Sequence, residues 1–179
     1  MLRAARLDTS LFEEIETDDE ALGHAIMISL LASLATGIGT GLTGLIGGKG
    51  AMWFVWGLLS GFFASLAGWF AWVVLTYLAG TTVLRGPEKV NVTELTTSLG
   101  FANSPCILRL LICLPLLGWI VTLMAGIWSL ASGVVAVRQT LDFSGGKAIA
   151  ANILGWLIYM VMVLLVYFWI PSSYKMLPF

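Results

Sequence analysis

Three groups of residues have types and spacings that invite chemistry. The first is the stretch GIGTGLTGLIGGKG, residues 37–50, in which Gly39, Gly41 and Gly44 take the G-x-G-x-x-G spacing of a dinucleotide-binding loop and Gly48-Lys49 approaches a phosphate-binding lysine loop. Both readings fail on context. A dinucleotide fingerprint needs a strand leading into the glycines and a helix leaving them, so that the helix N-terminus meets the pyrophosphate; these glycines sit inside an apolar helical run. The lysine loop requires Gly where Thr43 stands and Ser or Thr where Gly50 stands. The second group is Glu20 with His24, the sole histidine, four residues apart and so on one helix face. Two ligands do not make a metal site, and the Glu-x-x-His repeat of di-metal bundles is absent. The third is Arg109 in CILRLLICLP, a cation in an apolar tract, where a charged side chain at bilayer depth costs about 2.5–3.5 kcal/mol on insertion scales.

No serine in the chain has a histidine and an orienting carboxylate at recognisable spacing. The sequence therefore indicates no enzyme, no cofactor, no metal and no nucleotide. Two readings of Arg109 stand side by side. In one it snorkels from a short span to the headgroups a few residues after Pro105; in the other it pairs with a residue such as Glu94.

The elements that must position these residues follow from composition. Of 179 residues, 59% are hydrophobic and 11% charged, against roughly 45–50% and ~25% in soluble domains. The chain is read as one integral membrane domain, residues 1–179. Its net charge of −1 leaves no basic surface for nucleic acid. Cys106 and Cys113, seven residues apart in an apolar run, would lie about 10 Å apart in a helix and are expected to be reduced and buried.

Residues 1–20 form an acidic segment with six carboxylates from Glu13 to Glu20. Ser10 with Glu13 and Thr17 with Glu20 are capping-box pairs, the first opening a short amphipathic helix on the membrane surface. With acids intervening before the first apolar run, no cleavable signal peptide is expected. Spans are predicted at about 21–46, 51–80, 103–115, 119–137 and 148–170. Trp53 and Trp56 suit an interfacial belt, with Trp69 and Trp72 deeper. Between the second and third spans, Asn91 with Glu94 marks a further helix start. Val92, Leu95 and Leu99 then give a brief amphipathic helix lying in the interface and ended by Gly100. Pro115 to Gly118 turns the chain between the third and fourth spans.

Positive charge distinguishes five spans from four. With five, Arg3, Arg6, Arg85, Lys89, Arg138 and Lys147 share the N-terminal side against Lys49 and Lys175; with four, the split is five to three. The stronger asymmetry places the N-terminus in the cytoplasm, so that the Asn91-Val92-Thr93 sequon faces away from glycosylation. The fold class is thus an all-α membrane bundle of five transmembrane helices with short N-terminal and interfacial amphipathic helices. Gly37 and Gly41, and Gly57, Gly61 and Ser65, have the four-residue spacing that lets membrane helices approach closely. They are read as packing surfaces, within the chain or against a neighbouring copy or protein partner.

Three stretches, RAARLDTSLFEEIETDDEALGHA, ELTTSLGFANSP and VVAVRQTLDFSGGKAIAANILGW, resemble the Yip-domain family, multi-pass membrane proteins named for interacting with Ypt/Rab GTPases. The resemblance implies five spans, a cytoplasmic N-terminus and a role in membrane organisation or trafficking, and it brings no catalytic residue. The twenty-residue N-terminal segment is similar to that of a short prokaryotic branch, which implies a prokaryotic cytoplasmic membrane. The expectation is a scaffold or accessory subunit in the lipid bilayer; the alternative is a small transporter or channel using Arg109 and the broken third span.

Overall fold

A computed structural model of the chain describes residues 20–84, 91–141 and 144–169, with the side chains of the last stretch through residue 157. The described residues fold into α1 (Ala21–Ile46), α2 (Ala51–Leu78) continued by a π-helical turn (Ala79–Val83), α3 (Val92–Ala102), a 3-10 segment (Ser104–Cys113), α4 (Gly118–Thr140) and α5 (Gly145–Trp169). The helix expected from Ser10 lies outside the described residues. At 1.5 Å per residue, α1, α2 with its π turn, and α4 are about 39, 50 and 35 Å long, and each is apolar enough to cross a ~30 Å hydrocarbon core. The α3 helix and the 3-10 segment, bent by 43° where they join, add a fourth crossing if taken as one broken span. The structure therefore supports three or four crossings among the described residues, fewer than the five expected.

Glycine sets how closely α1 and α2 approach. A Cβ placed on Gly37 would stand 2.5 Å from the Leu58 carbonyl oxygen, and one on Gly61 would stand 2.9 Å from the Gly37 Cα. Four residues further along α1 and four back along α2, a Cβ on Gly57 would stand 2.8 Å from the Gly41 Cα. In the opposite direction the same register brings Ser33 Oγ to Ser65 Oγ at 3.4 Å. The two helices are antiparallel along one continuous seam of small residues, the close-approach geometry favoured between membrane helices. Thr36, Thr40 and Thr43 on α1 return their hydroxyls to the carbonyls four residues earlier, which satisfies them without water. The turn between the helices places Gly48 at φ 73° and Gly50 at φ 87°, backbone values that a side chain resists.

The α3 helix begins as its sequence predicts. Asn91 is the N-cap, accepting a hydrogen bond from Thr93 N at 3.0 Å, and Glu94 occupies the first turn. Much of its surface is covered by the neighbouring helices. Leu95 and Leu99 are fully buried, and Thr97, Ser98, Gly100 and Phe101 are buried with them. The helix packs inside the bundle because its small-residue side also finds a partner: a Cβ on Gly100 would lie 2.7 Å from the Ala25 Cβ. Gly100 is a point of approach and not a stop.

From there the chain runs beside α1 in the same direction, reaching Gly39, where a Cβ would meet the Arg109 carbonyl oxygen at 2.5 Å. The tighter 3-10 winding rises ~2.0 Å per residue. Ten residues of it after the eleven of α3 give about 36 Å of bent path. The expected third span, 103–115, is thus the second half of a longer bent element starting at Val92.

Both ends of the bundle are identifiable. Residues near the starts of α1, α3 and α5 and near the end of α4, among them Ala21, Ala25, Leu95, Val137, Leu141 and Ala148, share one core cluster, with Leu84 after the π turn packed against it. At the other end, Ile112 lines a depression together with Gly47, Lys49 and Trp53. The chain turns there through Pro115 to Leu117, with Leu116 at φ 65° and 88% exposed.

Candidate functional site

Five elements leave a cavity of about 110 Å³ between them, lined by Ser65, Gly68, Trp69 and Trp72 of α2, Asn103 at the bend, Cys106 and Arg109 of the 3-10 segment, Gly126, Ser129 and Leu130 of α4, and Trp156 of α5. The residues from α2 lie about midway along that helix and its π turn. The Arg109 guanidinium lies against Gly126 of α4, where a Cβ would stand 4.0 Å from Nη2, an ordinary van der Waals contact. The 3-10 segment is held close to α1 by Gly39, which fixes the backbone from which Arg109 extends.

The polar atoms at the cavity are unevenly matched. Arg109 Nε, Trp69 Nε1 and Asn103 Nδ2 are buried without a hydrogen-bond partner among the described residues. Trp69 and Asn103 are 8% and 6% exposed. All three atoms are donors. The nearby acceptors are engaged elsewhere: Trp72 Nε1 donates to Asn152 Oδ1 at 3.2 Å, and Asn152 Nδ2 donates to the Leu130 carbonyl at 3.0 Å. Ser129 Oγ donates to the Ala102 carbonyl at 3.1 Å. A buried donor left unpaired costs about 1–3 kcal/mol, so three at one cavity, one of them on the cation itself, form a concentrated region of unmet hydrogen-bonding capacity.

Arg109 makes no ion pair with Glu94, which lies exposed on the first turn of α3. Among the described residues no carboxylate lines the cavity. His24 is exposed on α1, and no group of three or more His, Cys, Asp or Glu residues gathers among the described residues. Both cysteines are free; Cys106 is buried as expected, whereas Cys113 is only partly so. Gly37, Gly41, Gly57, Gly61 and Ser65 lie on the α1–α2 seam within the chain.

Trp69, Asn103 and the Asn152–Trp72 pair did not emerge from the sequence as site residues. Asn103 and Asn152 carried a usable signal, being polar amides in apolar tracts where uncompensated polarity is expensive. Trp69 carried none beyond its depth, because only the three-dimensional packing shows that its indole N–H points away from an acceptor.

Comparison with known proteins adds one match. The family model described as the Yip1 domain covers residues 9–168, which takes in most of the first stretch that carried the resemblance and the whole of the other two. No curated protein and no solved structure matches.

Proposed function

Since the chain belongs to the Yip1-domain family and is a multi-pass membrane protein, we propose that it acts without catalysing a reaction, as a scaffold or accessory subunit of a membrane complex. The observation that carries this reading is the distribution of side-chain size. Small residues are turned inward to lock α1, α2 and the 3-10 segment together, while large apolar residues such as Met27, Trp56, Phe63, Phe70, Trp119 and Ile127 face outward. A close-packed body with a broad apolar exterior suits sustained contact with lipid and with other membrane helices. We assign it five crossings and a cytoplasmic N-terminus in a prokaryotic cytoplasmic membrane, α5 being 25 residues and about 37 Å long. The six-to-two charge asymmetry supports that orientation.

Native mass analysis after extraction in mild detergent tests the scaffold reading. Co-purifying protein or a defined homo-oligomer is expected; a strictly monomeric protein without a partner refutes it. A second reading, a small transporter or channel, is favoured by the cavity, since irregular helix at membrane depth is tolerated where it lines a binding space. Solute flux into liposomes that is lost in Arg109→Ala would replace the scaffold reading with this one.

A further inference from the structure

We propose that the cavity around Arg109 is a binding site for a phosphate group, supplied either by an anionic phospholipid headgroup or by free inorganic phosphate. The proposal stands apart from the scaffold reading, because it rests on the cavity's own chemistry. Three orphaned donors, Arg109 Nε, Trp69 Nε1 and Asn103 Nδ2, belong to residues lining one space. Two of those residues are more than nine-tenths buried. The ligand they complement presents acceptors in several directions and carries negative charge. A phosphate oxyanion does both, and charge-assisted bonds to its oxygens are the strongest that such donors form.

Size agrees with this chemistry. A cavity of about 110 Å³ has room for the four oxygens of one phosphate group, since a single water needs only about 10–15 Å³ of such space. Charge agrees as well, since among the described residues Arg109 is the only cationic one lining the space and no carboxylate lines it. Ser65, whose Oγ accepts from Ser33, retains its own hydroxyl proton as a further donor. Water alone would satisfy the N–H groups but would leave the guanidinium charge uncompensated at a depth where charge is costly.

The full chain in neutral detergent provides the test, with binding followed by the shift in thermal unfolding midpoint and by native mass adducts. One arm titrates inorganic phosphate against chloride at constant ionic strength. The other adds phosphatidylglycerol, with phosphatidylcholine as the uncharged comparison. Saturable binding in the first arm identifies free phosphate as the ligand, and saturable binding confined to phosphatidylglycerol identifies the headgroup; either result supports the site. Arg109→Gln should weaken that binding by about tenfold to a hundredfold, the range for a lost bond to a charged group. Trp69→Phe keeps an aromatic ring, though a smaller one, removes the N–H and should weaken it about tenfold. This variant carries the test if Arg109→Gln does not fold. No saturable binding by the wild-type chain in either arm, or equal affinity in the wild type and Trp69→Phe, overturns the proposal.

Discussion

Replacing Gly37 with alanine probes the α1–α2 seam at its tightest point. The added Cβ would stand 2.5 Å from the Leu58 carbonyl oxygen, whereas ordinary contact begins near 3.4 Å, so the helices must separate locally by about 0.9 Å. A radial gap of that size forfeits a quarter to a half of each atomic contact, itself ~0.1–0.2 kcal/mol, and a seam of a few tens of contacts then loses about 1–2 kcal/mol. Alanine's helix propensity returns up to ~1 kcal/mol, leaving a net loss of about 1 kcal/mol. Leucine at the same position adds overpacking and should cost about 2–4 kcal/mol in all. Gly23 is the internal comparison, because a Cβ there meets nothing within 4 Å. Gly23→Ala should be neutral or stabilising by up to ~1 kcal/mol. Reversible unfolding by SDS titration in mixed micelles, followed by far-ultraviolet circular dichroism, measures both. Equal stability of Gly37→Ala and Gly23→Ala would refute the argument that close approach at this seam stabilises the bundle.

Asn152→Leu removes the two hydrogen bonds that tie α5 to Trp72 and to the Leu130 carbonyl. The same unfolding assay should show a loss of about 1–3 kcal/mol, and an unchanged midpoint would contradict the assigned bonds. Leu116→Gly relieves a positive φ in an exposed turn and should leave stability unchanged or raise it by up to ~1 kcal/mol; a clear loss would show that the leucine side chain is needed there. In the folded protein a maleimide should modify Cys113 well before Cys106, which is 3% exposed, and equal rates measured by mass spectrometry would refute that difference in burial.

Much of the fold was legible in the sequence because the dominant signals are local. Long uncharged runs fix α1, α2 and α4, Asn91 with Glu94 marks the start of α3, and Pro115 with Gly118 brackets a turn. The four-residue spacing of Gly37 with Gly41 and of Gly57 with Gly61 identified two small-residue faces, but spacing along one helix cannot say which face meets which; the register became visible only in the structure. The burial of α3 against its neighbours was hidden for a related reason. Thr97, Ser98 and Gly100 look like a solvated side by residue type, yet small and hydroxyl-bearing residues are also what a tightly packed membrane interior accepts. The cavity was legible only as Arg109, since the orphaned donors of Trp69 and Asn103 come from segments more than thirty residues apart.

The central structural claim is that residues 92–113 cross the membrane once as a bent element, so that the turn at Leu116 lies opposite Asn91 and Ser144. Single cysteines at these three positions, all exposed, in a chain carrying Cys106→Ser and Cys113→Ser, test it directly with a membrane-impermeant thiol reagent in intact cells. Leu116→Cys should react at once, and Asn91→Cys and Ser144→Cys only after permeabilisation. If Leu116→Cys is protected together with Asn91→Cys, the bent pair re-enters without crossing and the five-span account is wrong.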